Sequence, residues 1–432
     1  MSEEWKAYTS DTRVVCKYGT KCYQKNPEHH KQYKHPPQLR DKVNKRQNNR
    51  FKPYDKEKRP AVKAQTSVYD IAAVDINVND VDQPTTTTNQ NDDNSSENSH
   101  QPITNIEEVP KYLVKSDSVT FHDKDTDPGI LKECFLTEMP DDFFQFYKCL
   151  QEDTENVEKL LSSVNLQLIG PYELFLGKLP KLDDKDLYLI HWRFFFDPPE
   201  FQAVLKKKGK SEFHIGYYRD DPQEKPVFLA KNDSSANCTI TPVAENIFGA
   251  VYSFLQNEKK TSPFISISCQ KLMEKVKKWA DTHNFSIEEY NINKKRIPQI
   301  VCRTFHSAGI VVPYNKKTQL GYRKLAESDA DIKKMFKQLK EAKSQADKDK
   351  ILSELQPVIT YASIAMDECD FGTGLEAGIA LFCSGLPELQ KSALKNLEVA
   401  YSLLGRGAFS KIIQMHMKYR RKGPEMSVLG ND

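Results

Sequence analysis

The chain is poor in several of the things that assign a protein quickly. None of its nine cysteines forms a C-x-x-C pair, and nine over 432 residues do not make a disulfide framework, so reduced thiols are expected. The opening MSEEWKAYTS has no apolar run behind a basic patch, the pattern a secretory leader needs. The most continuous apolar stretch, near Leu375–Leu386, is broken by Glu376 and glycines and is too short to span a bilayer. No Gly-rich phosphate loop is present. A soluble intracellular protein without membrane contact is expected. Hydrophobic residues reach only 38%, below the usual range for a globular chain.

That shortfall is local. Residues 1–64 carry 17 Lys and Arg against 7 Asp and Glu, whereas residues 65–110 carry no base and nine acids. The remaining 322 residues are nearly balanced, at 46 basic and 44 acidic. Residues 36–64 are basic and nearly free of large aliphatics, which suits either a nuclear-import or polyanion-binding segment or a solvated linker. Residues 79–109 are polar and of low complexity and cannot bury enough apolar surface to fold. The stretch 37–118 is therefore expected to be a disordered linker, basic and then acidic. A short apolar patch from Val68 to Val78 interrupts it.

From about Val119 the composition turns globular. MPDDFFQFYKCLQ reads as a helix, with Pro140 at its start, acids in the first turn, and Phe143, Phe144, Tyr147 and Leu150 at helical spacing. LYLIHWRFFFD (187–197) alternates like a strand, SEFHIGYYRDD gives a second and PVFLAKN a third. Short turns between strands predict an antiparallel sheet with helices on one side. Trp192, Phe194, Phe196 and Phe201 are expected in the core rather than on a ligand face. Beyond about residue 265 the pattern is mostly helical, interrupted by QIVCRTFHSAGIVVPYNKKTQLGYRKL. The predicted fold class is α+β: an α+β domain over 119–260 and a mainly helical domain over 261–420.

Two segments carry chemistry. Cys16, Cys22, His29 and His35 are spaced C-x5-C-x6-H-x5-H. Two thiolates and two imidazoles in so short a span are a tetrahedral Zn²⁺ set, and a peptide this small needs its metal to fold. The spacing leaves no room for the recognition helix of a groove-reading finger, so sequence-specific DNA binding is not expected. RVVCKYGTKCYQKNPEHHKQYKH resembles the poly(ADP-ribose)-binding zinc finger, which places that domain at 13–36. The resemblance implies that Tyr18 and Tyr23 stack on adenine and contact ribose, with Lys25 near the pyrophosphate. It departs at Gln24, where a basic residue is usual.

The second segment is MDECDFGTGLEAG, in which Asp367, Glu368 and Asp370 crowd ahead of a Gly-Thr-Gly turn. Neighbouring carboxylates suppress one another's ionisation, so such a cluster can hold a base; it is equally the composition of a solvated acidic helix end. GTGLEA fits the loose dinucleotide pattern, but the residues after it keep a helical periodicity without a strand, and acids before the turn would repel a pyrophosphate. In LGYRKLAE, Arg323 beside Tyr322 offers a planar fork for a carboxylate or phosphate.

HWRFFFDPPEFQ, HIGYYRDDP, RTFHSAGIVVP, LGYRKLAESDAD and MDECDFGTGLEAGIALFC, in this order, resemble the histone PARylation factor family from about Cys134 to about Met417. The resemblance implies a factor that binds the catalytic domain of a DNA-damage-responsive poly(ADP-ribose) polymerase and shares its active site, with no stand-alone activity. The polymerase holds NAD⁺; Glu368 is the base for a serine acceptor on histones; Tyr322, Arg323, Asp367 and Asp370 lie at the interface, Asp367 holding Arg323 or touching the polymerase. His306 either assists there or is a hydrogen-bonded structural histidine. The implied location is the nucleus, at chromosomes and sites of damage. The rival reading is a non-catalytic poly(ADP-ribose) reader and scaffold.

Overall fold

The structure is a computed structural model that describes residues 10–16, 26–35, 113–152, 154 and 156–430. Two compact units are present, residues 1–105 and 106–432. In the first, strand β1 (Val14–Val15) pairs in parallel with β2 (Tyr33–Lys34), which directly follows helix α1 (Pro27–Gln32). Asn26 starts that helix by accepting from the Glu28 N–H, and Pro27 occupies the first turn, where no amide donor is missed. Residues 36–112, with most of the expected linker, lie outside the described residues.

The second unit begins inside the region expected as linker. Val114–Lys115 (β3) pairs in parallel with Leu429–Gly430 near the other end of the chain. Helices α2 (Ile130–Phe135), α3 (Asp141–Gln151) and α4 (Val157–Ser162) come next. Helix α3 forms as its pattern predicts, burying Phe143, Phe146, Tyr147 and Leu150. Strand β4 (Leu166–Leu168) and short helix α5 (Glu173–Leu176) lead to β5 (Phe201–Lys207), β6 (Phe213–Tyr218), β7 (Phe228–Asp233) and β8 (Thr241–Ala244). These strands form one antiparallel sheet in the order β4-β5-β6-β7-β8. The Asp142 carboxylate joins it to the helices, accepting from the Tyr217 hydroxyl at 2.9 Å and the Ile247 N–H at 2.8 Å.

Residues 187–197 are not a strand. Lys185–Ile190 is a 3₁₀ turn capped by the Asp184 side chain, and it runs into a buried loop in which Trp192 adopts φ +58°. Arg193 fixes the loop from inside by donating to the carbonyls of Leu189, Pro198 and Phe201 at 2.8–2.9 Å. His191 and the Trp192 indole N–H both bond the Glu173 carboxylate. The alternating pattern misled because both of its sets are inside: Leu189, His191, Arg193 and Phe195 are as buried as Ile190, Trp192 and Phe194. Phe201 opens the strand that does form.

Helices α6 (Ile247–Glu258) and α7 (Pro263–Thr282) pack with this sheet. Cys269, Leu272, Met273, Val276 and Ala280 of α7 belong to the same core as β4–β6, so the sheet-side half extends to Ala280 rather than ending at 260. After α8 (Ile292–Lys295) and an irregular stretch come α9 (Asp329–Glu341), α10 (Gln345–Asp367), α11 (Phe371–Ser384), α12 (Gln390–Leu403) and α13 (Gly407–Lys418). Their apolar faces build a second core, with α11 buried from Gly372 to Cys383. Such a helix is buried on every side because other elements surround it, with Thr373 and Glu376 the polar residues inside. Among the described residues no helix is long and apolar enough to cross a membrane.

Candidate functional site

The acidic motif is the corner between α10 and α11. Glu368 caps α10, its N–H bonding the carbonyls of Ile364 and Ala365, and Cys369 turns the chain at φ +67°. Asp370 then precedes α11, but its side chain does not cap that helix; Oδ1 accepts from the Gly321 N–H at 2.8 Å. Three more bonds lace the 321–323 segment to the first turn of α11. Gly372 N–H donates to Gly321 O at 2.9 Å, Arg323 N–H to Thr373 Oγ1 at 2.9 Å, and the Thr373 hydroxyl to Arg323 O at 2.7 Å.

The two glycines of the Gly-Thr-Gly turn serve this packing. A Cβ on Gly372 would meet Val312 Cγ2 at 2.8 Å and Gly321 O at 3.0 Å, and one on Gly374 would meet Met366 Sδ at 2.1 Å. The turn lies inside a helix that directly succeeds another helix, so it has no strand–turn–helix context for a dinucleotide.

The laced segment brings Arg323 to the acids. Its Nη1 donates to Glu368 Oε2 at 2.5 Å, its Nε is 3.5 Å from Asp370 Oδ2, and its guanidinium lies 5.0 Å from the centroid of the Tyr361 ring. The Glu368 side chain is 35% exposed and that of Arg323 30%, so both face solvent at the corner. Asp370 is buried, which raises its pKa above the ordinary carboxylate value; the Gly321 N–H and Arg323 oppose this. Asp367 is exposed, and the ion pairs of Arg323 are to Glu368 and Asp370. Adjacent Tyr322 points the other way, into the helical core.

Beneath Tyr322 sits a cluster that sequence reasoning missed. The Glu376 carboxyl neighbours the Tyr322 hydroxyl and the Cys302 thiol, and burial pushes its pKa up to about 7. Asp370, Thr373 and Glu376 recur every three residues, so one face of α11 holds the whole 321–323 segment; that spacing was the available signal. His306 is buried, accepts at Nδ1 from Thr304 Oγ1 and the Ala308 N–H, and is lowered by burial to about 3. Those bonds close a local turn, the structural role.

In the N-terminal unit, Cys16, His29 and His35 converge, with their ligand atoms all within 4.8 Å of one another. Cys16 Sγ is 3.4 Å from His29 Nε2, which is 3.1 Å from His35 Nε2. Donors around four-coordinate zinc, with bonds of about 2.0–2.3 Å, lie about 3.3–3.7 Å apart along the tetrahedron's edges. The thiolate–imidazole donor set fits Zn²⁺, with the Cys16–His29 separation inside that range and the His29–His35 separation slightly below it. Cys22, Tyr18, Tyr23 and Lys25 lie outside the described residues.

Comparison with known proteins decides the assignment. The family described as histone PARylation factor 1 matches residues 128–420. The chain belongs to that family. Histone PARylation factor 1 of Bos taurus is 39% identical over 294 residues, 65% of this chain and 83% of its own length. The Mus musculus protein of the same name is 37% identical over 311 residues, 69% of this chain and 89% of its own. The Danio rerio protein is 37% identical over 324 residues, 72% and 92% of the two chains. The histone PARylation factor 1 match contains both Tyr322–Arg323 and the 367–370 corner. Residues 13–38 match the PBZ domain, the poly(ADP-ribose)-binding zinc finger, around the Cys16, His29 and His35 cluster.

Proposed function

We propose that this chain binds the catalytic domain of a poly(ADP-ribose) polymerase, completes its active site and directs ADP-ribose to serine residues of histones. Glu368 is the base for the acceptor serine. Arg323 and Asp367 lie on the surface that meets the polymerase and its bound NAD⁺, while the buried Asp370 and the inward-packed Tyr322 support that surface from behind. The observation that carries this reading is the Glu368 carboxylate at a solvent-facing helix corner, held by Arg323 at 2.5 Å with a second, buried acid behind it.

A serine hydroxyl ionises far above neutral pH and attacks well only when a base takes its proton. The polymerase supplies NAD⁺, whose ribose carbon becomes electrophilic as nicotinamide leaves. This chain then has one task, to place a carboxylate within hydrogen-bond reach of the serine. Asp367 and Asp370 keep the local potential negative, which favours the approach of basic histone tails.

The finger adds retention. Tyr18 and Tyr23 stack on adenine and contact ribose in the polymer, and Lys25 meets its phosphates. The protein acts in the nucleus, on chromosomes at sites of damage. Deleting residues 13–38 is expected to weaken recruitment to polymer-rich sites while leaving serine transfer intact in solution.

The deciding experiment reconstitutes polymerase, nicked DNA, NAD⁺ and a histone peptide with wild type or Glu368→Gln, reading the modified residue by mass spectrometry and polymerase binding in parallel. Serine modification is expected to fall about 10²–10⁴-fold with binding retained. Undiminished serine modification by the variant would leave the reader-and-scaffold account in its place.

A further inference from the structure

The Arg323 guanidinium is less constrained by hydrogen bonds than its place between two acids suggests. A guanidinium offers several N–H donors in a planar fork. Among the described residues that fork makes one hydrogen bond, from Nη1 to Glu368 Oε2 at 2.5 Å. Nε is buried without an acceptor, and Asp370 Oδ2, 3.5 Å from it, is an ion-pair partner rather than a hydrogen-bond one. A single bond leaves the plane of the fork free to turn, and Asp370 lies on the side to which it would turn. Asp370 itself is tied down, because its Oδ1 accepts from the Gly321 N–H at 2.8 Å. Two carboxylates therefore compete for one fork, and hydrogen bonds alone do not decide between them.

What the guanidinium rests on is the Tyr361 ring, whose centroid is 5.0 Å away. Tyr361 stands on α10 about two turns before Glu368, on the same side of the helix. The adjoining side of that stretch is fixed, with Val358, Ala362, Ala365 and Met366 all buried. Tyr361 is half-buried at the margin between those residues and solvent, so its ring has a settled place. An aromatic face attracts a guanidinium within about 6 Å and accepts its planar group. The ring thus supplies the restraint that the hydrogen bonds lack. Thr373 fixes the main chain of Arg323 separately, which leaves the side chain as the part on which the ring acts.

We propose that Tyr361 is a positioning residue for serine transfer: its ring is the shelf that keeps the Arg323 fork on Glu368 rather than on Asp370, and so fixes where the Glu368 carboxylate stands. The inference rests on the reading of Glu368 as the base. Tyr361 acts through Arg323 and takes no part in proton transfer. The ring does this work and the hydroxyl does not, so phenylalanine is an adequate replacement and an aliphatic side chain is not.

The test compares Tyr361→Phe and Tyr361→Leu in the full-length, zinc-loaded chain. With polymerase, nicked DNA, NAD⁺ and histone peptide, Tyr361→Leu is expected to lower kcat for serine transfer about tenfold, leaving KM for the peptide and affinity for the polymerase unchanged. Tyr361→Phe should match wild type. In Arg323→Lys, which has no planar fork to orient, Tyr361→Leu should add no further loss. The free chain gives a reading independent of catalysis. The ¹⁵N–¹H signal of the buried Arg323 Nε–H should exchange with solvent about tenfold faster in Tyr361→Leu than in wild type or Tyr361→Phe. Should Tyr361→Leu not fold, Tyr361→Met takes its place. The proposal is overturned if the aliphatic variant keeps wild-type kcat or wild-type Nε–H protection, if its loss lies in KM or polymerase affinity, or if the losses of Tyr361→Leu and Arg323→Lys add. Full serine transfer by Glu368→Gln would overturn the reading of the base itself, a failure distinct from loss of the shelf because the Nε–H signal does not depend on the base.

Discussion

Replacing Thr373 by valine removes a hydroxyl and changes almost nothing else in volume. That hydroxyl is fully buried, accepts from the Arg323 N–H at 2.9 Å and donates to the Arg323 carbonyl at 2.7 Å. It is thus the main-chain anchor of the residue that grips Glu368. Valine leaves both Arg323 groups unpaired. A buried polar group stripped of its partner costs about 1–3 kcal/mol. Arg323 is only half-buried, so water recovers part of the loss and about 1–3 kcal/mol is expected for the two bonds together. Serine at the same position keeps both bonds and loses one buried methyl, about 1 kcal/mol. Hydrogen–deuterium exchange of peptides spanning 320–326 reads the difference at the amide concerned. With about 1.4 kcal/mol per factor of ten, the Arg323 amide should exchange about ten- to a hundredfold faster in Thr373→Val and near the wild-type rate in Thr373→Ser. Equal protection in all three proteins would refute the idea that this hydroxyl anchors Arg323.

Gly372→Ala should destabilise the core by about 1–3 kcal/mol despite the better helix propensity of alanine, because its Cβ meets Gly321 O at 3.0 Å and Val312 at 2.8 Å; thermal and urea melts check this. Glu376 gives a pH signature. Its folded-state value of about 7 lies above the ordinary 4.5, so the native chain holds a proton that the unfolded chain has lost. The associated stability is complete below about pH 4.5 and is lost as pH rises through about 7. Glu376→Gln should therefore flatten the stability profile between about pH 5 and 8 by about 1–3 kcal/mol, measured by denaturant titration at several pH values. Stripping metal with a strong chelator should unfold the 13–38 segment and leave the melt of the larger unit unchanged, and metal analysis should find one Zn²⁺ per chain, lost in His29→Ala.

Much of this organisation was legible because it rests on local rules. Helix α3 follows from a proline, two acids and aromatic residues at helical spacing, all within one segment. Strands β6 and β7 follow from short β-prone runs between turn residues. The donor set Cys16, His29 and His35 could be read from residue type and spacing, since so short a peptide has few other ways to bring them together. The errors arose where burial on every side erased the pattern. Residues 187–197 alternate as a strand would, yet Arg193 satisfies three carbonyls from within and holds them as a loop. Helix α7 carries an amphipathic stripe that states only that one face is buried, not against which core, and it packs on the sheet side beyond 260.

The sequence by itself determined the partition into a Cys/His finger, a charge-segregated stretch and an α+β core, and it singled out Glu368, Arg323 and Asp370 as chemically capable side chains. It could not say that they meet. Arg323 and Glu368 are 45 residues apart, and their 2.5 Å contact exists because Asp370, Gly372 and Thr373 bind the 321–323 main chain to the start of α11. The raised pKa of Glu376 likewise depends on what other segments bring to a buried position. Composition and spacing are properties of the chain taken in order; desolvation and cross-chain contact are set only once distant segments pack together.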